Sequence, residues 1–250
     1  MPPRSVHLFG PKDGLRDALE DKLTRAGASI SEQPSGADLS IGLGSDEECN
    51  LAILPTGSTS DRADLVVTLG DVIIPNGSRE WGNGDLLDWI EQIKLGETPQ
   101  TDSEPRYWVN VRDVVDALST LALRHEGLAC RGQIRMCGRR AWRNIDVVDE
   151  IRILWERYHN AINHSHTVQS LSGVPSPVRG IHSEQTSPEL GGLHKALIES
   201  GGEGWHPLVP MRTSLMELIA STVKISCLLY TSDAADEKRG VDLGGRRINK

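Results

Sequence analysis

The sequence predicts an α/β fold, in which a small parallel sheet is followed by a smaller lobe. Five short apolar runs lie within residues 1–75, and the last three are each bounded by Gly, Pro, Ser or Asp, a pattern typical of buried parallel strands. The first run leads through a glycine-containing turn into a stretch with Leu15, Leu19 and Leu23 at helical spacing, which is the opening of a βαβ unit. Amphipathic segments then alternate with further short apolar runs.

Each element is predicted from its local pattern. Short apolar runs predict strands, at residues 5–9, 28–31, 38–43, 51–54, 65–69, 107–111 and 132–136. Apolar residues at helical spacing predict helices, at residues 13–26, 85–95, 112–125, 145–158 and 214–223. Residues 159–192 are rich in Ser, His, Pro and Gly and predict mostly loop. Because helices between the later strands of the first 75 residues are short or missing, we expect an irregular sheet.

The overall charge limits the classes of partner. Lys and Arg total 27 against 35 Asp and Glu, so the formal net charge of −8 disfavours nucleic acid and anionic membranes. No apolar run approaches the roughly 20 residues that span a bilayer, and the N-terminus lacks the apolar core of a signal peptide. The four cysteines are scattered, which favours reduced thiols and a cytoplasmic location. The histidines within residues 159–166 lack an accompanying acid or thiol, so no metal site is expected.

Residues 227–250 are treated separately. The segment CLLYTSDAADE resembles the conceptual translation of a sequencing-library adapter, and GVDLGGRRI resembles the far end of the same adapter. We therefore expect a non-native tail over residues 227–250 and exclude it from the reasoning on fold.

The turn between the first strand and the first helix reads Gly10-Pro11-Lys12-Asp13-Gly14. Glycines at such a turn let the backbone approach a pyrophosphate at the positive end of the helix, and Lys12 would help to neutralise it while Asp13 would oppose it. Glu32 follows the second predicted strand, where an acid can bond ribose hydroxyls. Gly10, Lys12, Gly14 and Glu32 are therefore candidate ligands of an NAD(H) cofactor. The GxxxG spacing also fits an ordinary strand-to-helix turn, and Glu32 an ordinary surface acid.

A set of ordered motifs lies further along the chain. It comprises RYWVNVRDVVDA at residues 106–117, GQI at 132–134, VVDEI at 147–151, PVRG at 177–180 and GWHP at 204–207. This order resembles the C-terminal half of the extended short-chain dehydrogenase/reductase family, the NAD-dependent nucleotide-sugar epimerases and dehydratases, over roughly residues 64–223. The resemblance implies a reduced Rossmann-like parallel sheet with a smaller C-terminal substrate-type lobe. We expect residues 1–75 to form the dinucleotide-binding-like core and residues 76–226 its remaining elements and the lobe.

The resemblance also implies substrate contacts. Arg106 and Arg179 match family arginines that grip the diphosphate of a nucleotide sugar, where the guanidinium offers a rigid fork of donors. Asp71 stands where the family often has an Asn that contacts substrate, and a carboxylate there would repel an anionic ligand unless it bonds a sugar hydroxyl. The other interpretation of both arginines is a solvated charge or a loop salt bridge.

The family's catalytic residues are mostly missing. Thr56 follows the run at 51–54 and is the candidate for the family's catalytic Ser or Thr, but no Tyr in the chain is followed four residues later by Lys. In the family that Tyr transfers the proton and the Lys lowers its pKa. The sequence thus predicts a divergent homologue that binds a nucleotide sugar, with NAD as a candidate cofactor. The alternatives are a non-catalytic binding or assembly protein that pairs as a homo- or heterodimer with an active homologue, and a fragment without a stable function.

Overall fold

The computed structural model describes residues 4–75, 79–124, 126–171 and 187–223. Its strands, in chain order, are β1 Ser5–Phe9, β2 Ser29–Ser31, β3 Leu39–Leu43, β4 Cys49–Pro55, β5 Ala63–Leu69, β6 Val72–Ile73, β7 Val109–Asn110 and β8 Gly132–Met136. Its helices are α1 Gly14–Arg25, α2 Asn83–Lys94, α3 Val111–Ala122, α4 Asn144–Ile162, α5 Val168–Leu171, α6 Gly191–Glu199 and α7 Met211–Thr222.

Six strands form one parallel sheet in the order β2-β1-β3-β4-β5-β8. Its register pairs Val6 with Leu39 and Ile41 with Leu51, which aligns the apolar positions of neighbouring strands. Strands β6 and β7 make a separate parallel pair. The predicted fold class, a reduced Rossmann-like α/β fold, is confirmed.

Helix α1 illustrates how the local sequence builds the core. The side chain of Asp13 caps the helix by accepting a hydrogen bond from the backbone N–H of Arg16. Leu15, Leu19 and Leu23 lie on one face and are fully buried. Gly27 follows the helix with a φ of 90°, a conformation that glycine adopts without steric cost.

Two apolar cores organise the molecule. The larger lies between one face of the six-stranded sheet and helices α1, α3 and α6. The smaller is formed mainly by α2, α4 and α7 and constitutes the lobe. Within the lobe, the buried carboxylate of Glu150 on α4 accepts hydrogen bonds from Nε and Nη2 of Arg212 on α7, at 2.7 and 3.3 Å. This ion pair ties the two helices together.

The other face of the sheet is covered differently. Residues 44–48 alone connect β3 to β4, and residues 56–62 alone connect β4 to β5. Parallel strands are usually joined by a dozen or more residues that include a helix, so the crossover helices are missing at both places. Among the described residues, the apolar cluster on this face consists of strand positions, with Phe9 and Ala63 packed against Cys49, Ala52, Leu54 and Val66. The expectation of an irregular sheet agrees with these connections.

Five elements differ from the sequence-based expectation. Helix α5 lies within the stretch predicted as mostly loop. Helix α6 lies partly within the stretch predicted as loop, and it buries Leu193, Ala196 and Leu197 against the larger core. Helix α4 continues to Ile162 beyond its predicted end. The strand predicted at 107–111 shortens to β7 because Asn110 already caps α3. Strand β6 was not predicted, since two residues give no periodic signal.

Candidate functional site

The carboxyl ends of the parallel strands lie at one edge of the sheet, where α/β proteins of this type bind ligands. Gly10 follows β1, Glu32 follows β2, Thr56 follows β4 and Asp71 comes shortly after β5. The topology therefore brings these four predicted site residues to the same edge, although they are spread over some sixty positions of the chain.

The β1–α1 turn is shaped by a close approach of two strands. Gly10 has a φ of 111°, and a Cβ added to it would lie 2.1 Å from the carbonyl oxygen of Leu43 at the end of β3. Glycine is therefore required here by the packing of the protein itself. Gly14 is the first residue of α1, and the exposed Lys12 side chain makes no hydrogen bond or ion pair within the described part of the chain.

The carboxylate of Asp13 occupies the centre of this turn. One oxygen accepts from the backbone N–H of Arg16 at 2.8 Å, and the other accepts from the indole N–H of Trp81 at 2.8 Å. The Arg16 guanidinium is turned back to the strand and donates to the carbonyl oxygens of Gly10 and Leu8. The backbone N–H and the guanidinium of Arg16 are thus both engaged by the protein itself.

A cleft of about 860 Å³ opens beside this turn, between α1, the segment that precedes α2, and the start of α3. Five acidic side chains line it against three basic ones: Asp13, Asp17, Asp21, Glu80 and Glu217 against Lys12, Arg79 and Arg112. Two of the basic groups are ion-paired, since Arg112 contacts Glu217 and Arg79 contacts Asp88. The cleft is therefore acidic overall and disfavours a polyanionic ligand.

Asp71 and Arg106 form a largely buried ion pair at the edge of the lobe. Arg106 Nε donates to Asp71 Oδ1 at 2.6 Å, and the backbone N–H of Tyr107 donates to Asp71 Oδ2 at 2.8 Å. The side chains of Asp71 and Arg106 are 17% and 19% exposed. Burial opposes the charge of Arg106, but Asp71 and Asp85 outweigh it and raise the pKa of the guanidinium. The structure brings these two predicted residues together as partners of each other.

The outer edge of the Arg106 guanidinium has different neighbours. Nη1 donates to Asp85 Oδ2, and Nη2 donates to the carbonyl oxygen of Gly82 at 3.3 Å. The guanidinium also lies over the ring of Trp108, 4.4 Å from its centroid. The Asp85 side chain is 58% exposed, so this contact is open to solvent while the contact with Asp71 is not. Arg179 lies outside the described residues.

Thr56 stands next to the end of β5. Its backbone N–H donates to the carbonyl oxygen of Leu69 at 2.8 Å, and a Cβ added to Gly70 would lie 2.4 Å from Thr56 Oγ1. Thr56 is an exposed residue, and its Oγ1 lies against Gly70, the residue that precedes Asp71. Glu32 is likewise exposed, just after β2, and no hydrogen bond of its side chain is found within the described residues.

Asp113 has a structural role. Its carboxylate accepts from the backbone N–H groups of Leu208, at 2.9 Å, and Val209, at 3.1 Å. Burial raises the pKa of this carboxyl above its usual range. Asp113 therefore joins the first turn of α3 to the segment that leads into α7.

Sequence reasoning noted Asp13 as an obstacle to phosphate but did not identify its partner. The position of Asp13 before a helix is a recognisable capping signal, whereas Trp81 lies 68 residues away and no local pattern connects the two. Asp85 was missed for the same reason.

The described residues contain no helix with the length and apolar character required to cross a membrane. They also contain no group of three or more His, Cys, Asp or Glu side chains placed to hold a metal ion.

No protein-family model matches the sequence, and no curated protein matches it either. Several solved structures are similar to this chain. RMD from Pseudomonas aeruginosa, complexed with NADPH, has a TM-score of 0.55 at 13% identity, over 88% of this chain and 97% of that chain. The Bordetella bronchiseptica enzyme WbmF in complex with NADH has a TM-score of 0.54 at 11% identity, over 88% and 91%. The same enzyme with NAD+ and UDP has a TM-score of 0.51 at 11% identity, over 88% and 92%.

The epimerase Mth375 from Methanothermobacter thermautotrophicus is similar as well, with a TM-score of 0.52 at 11% identity, over 88% of this chain and 92% of that chain. These structural neighbours are extended short-chain dehydrogenase-type proteins. Likeness at such identities establishes the fold. The chain therefore has the Rossmann-type fold of the extended short-chain dehydrogenase/reductases, as its motifs predicted.

Proposed function

We propose that this protein is a non-catalytic relative of the NAD-dependent epimerases and dehydratases, which binds a nucleotide sugar and transfers no hydride. The observation that carries the proposal is the connection between β4 and β5. Residues 56–62 bridge these strands directly and contain neither Tyr nor Lys, and no Tyr of the chain has Lys four residues later.

The missing pair removes the proton-transfer step. Oxidation of a sugar carbon requires that its hydroxyl proton leave as the hydride leaves, which in the family is the task of a Tyr whose pKa is lowered by Lys. Thr56 is exposed at the carboxyl edge. Its hydroxyl can bond a sugar hydroxyl, but a hydroxyl is a weak base near neutral pH, and no hydrogen bond from Thr56 Oγ1 to a proton acceptor is found within the described residues.

The arrangement around Arg106 supports a diphosphate ligand. Asp71 anchors Nε from the buried side, which fixes the plane of the guanidinium. Of the outer donors, Nη1 meets the exposed carboxylate of Asp85 and Nη2 meets the carbonyl oxygen of Gly82. A phosphate oxygen that replaced Asp85 would restore a charge-assisted hydrogen bond of the same kind to Nη1. In this arrangement Asp71 positions Arg106 and does not itself contact the ligand. The UDP bound to the similar WbmF is consistent with a ligand of this class.

Calorimetric titration with UDP-glucose tests the proposal. We expect Arg106→Ala to weaken binding by about tenfold to a hundredfold, since charge-assisted hydrogen bonds contribute about 1.5–3 kcal/mol. We expect Asp85→Asn to strengthen binding, because it removes the carboxylate that competes for the same donors. Arg152→Ala is the matched control, since Arg152 forms an exposed ion pair with Asp149 on α4.

Thermal denaturation establishes that each variant is folded, and Arg106→Lys replaces Arg106→Ala if the latter is not. Lys retains the charge but not the fork of donors, so weaker binding is still expected. Unchanged affinity in a folded Arg106 variant, or weaker binding in Asp85→Asn, would show that the ligand does not bind here.

A further inference from the structure

The start of α1 is the place where proteins of this fold type hold a cofactor phosphate. Backbone N–H groups at the end of a helix, together with the helix dipole, attract an anion there. In this chain an anion is already present, because the Asp13 carboxylate accepts from the N–H of Arg16 and from the indole of Trp81. The residues therefore do not fit the pyrophosphate of a dinucleotide.

The surroundings add to the mismatch. Asp17 and Asp21 follow Asp13 at helical spacing and line the same cleft. The Arg16 guanidinium, which would be the natural partner of a phosphate, donates instead to backbone carbonyl groups of the turn and of β1. Lys12 is left as the cation nearest to the turn among the described residues that line the cleft.

The hydrogen bond from Trp81 to Asp13 connects the start of α1 to the segment that leads into α2. Trp81 is 9% exposed and packs in the larger core, while its chain segment leads into α2 of the lobe. A phosphate that displaced Asp13 would have to take over the hydrogen bonds of both the Arg16 N–H and the nearly buried indole N–H of Trp81, because a buried donor without an acceptor is unfavourable. It would also lie within a few ångströms of a carboxylate, and like charges at that distance repel.

We propose that the Asp13 carboxylate is this protein's internal substitute for the cofactor pyrophosphate. The β1–α1 turn consequently binds no NAD. Asp13 instead holds the segment before α2 against the larger core, through its hydrogen bond with Trp81. The assignment concerns the turn at α1 alone and is independent of whether a nucleotide sugar binds at Arg106.

Titration of the full chain with NAD+ and with ADP-ribose tests this assignment. The wild type should bind both probes more weakly than about 1 mM. Asp13→Asn should bind them about tenfold more tightly or better, because it removes the charge while Asn still caps the helix. The matched control is Glu20→Gln, which removes one carboxylate charge from an exposed position of α1 that does not line the cleft and should behave as the wild type.

Nuclear magnetic resonance of the indole N–H groups provides a readout that does not depend on a ligand. The Trp81 signal, assigned by its loss in Trp81→Phe, should exchange slowly with water in the wild type and faster in Asp13→Asn. Micromolar binding of NAD+ by the wild type would overturn the proposal. So would an equal gain from Asp13→Asn and Glu20→Gln, or no gain from Asp13→Asn in a folded protein. UDP-glucose titration of the same variants keeps this outcome separate from that of the proposed function, because binding at Arg106 should not change.

Discussion

Replacement of Asp71 by Asn tests the ion pair that holds Arg106. Asn tolerates the φ of 60° found at this position, and its amide oxygen can still accept from the backbone N–H of Tyr107. What is lost is the charged acceptor 2.6 Å from Arg106 Nε, in a pair whose side chains are less than one-fifth exposed. A hydrogen bond to a charged group contributes about 1.5–3 kcal/mol, so we expect the free energy of unfolding to fall by about 2 kcal/mol. For a chain of this length, that corresponds to a decrease in Tm of about 4–8 °C.

Thermal denaturation followed by circular dichroism measures this effect, with urea denaturation as a second estimate of the unfolding free energy. The matched control is Asp88→Asn, which removes one carboxylate from the exposed ion pair with Arg79 and should leave stability unchanged within error. If Asp71→Asn is as stable as Asp88→Asn, the Asp71–Arg106 pair does not fix the guanidinium, and the argument for a positioned arginine is refuted.

Two further predictions concern stability. Gly10→Ala should destabilise the protein by about 3 kcal/mol or more, because its φ is 111° and its new Cβ would clash with the Leu43 carbonyl. Gly27→Ala, with a φ of 90° but no atom within 4 Å of the new Cβ, should lose only about 1–2 kcal/mol in the same urea titration. Equal losses would contradict the close approach of β1 and β3. Burial raises the pKa of the Cys137 thiol from 9.0 to about 11. The unfolded chain therefore ionises first, and stability should fall as the pH rises from 9.0 towards 11, less steeply in Cys137→Ala. An identical pH profile for that variant would contradict this.

The elements that the sequence predicts best are those whose signal is local. Leu15, Leu19 and Leu23 repeat at the helical period, and the structure buries all three in α1. The strand predicted at residues 5–9 is β1. Helix α6 was not predicted although Leu193, Ala196 and Leu197 repeat at helical spacing, because the pattern is short and begins at two glycines; contacts with the sheet and α3 stabilise it.

The candidate site shows the same contrast between features with a local signal and features set by long-range contacts. That the strand ends share one edge follows from parallel topology, so the neighbourhood of Gly10, Glu32, Thr56 and Asp71 was predictable. The partners of the charged groups were not predictable from the sequence. Arg106 was considered as a free diphosphate ligand or a salt bridge, and only the folded chain brings it between Asp71 and an exposed acid. The domain boundaries and the location in the cell stay predictions.

Saturation-transfer nuclear magnetic resonance of UDP-glucose, with the protein and NAD+ present, tests the central claim directly. The account predicts that the sugar and uracil protons receive saturation from the protein and that the spectrum stays that of UDP-glucose after prolonged incubation. The appearance of signals from an epimer or a keto-sugar would contradict the claim that the protein transfers no hydride, and the absence of saturation would contradict the claim that it binds a nucleotide sugar.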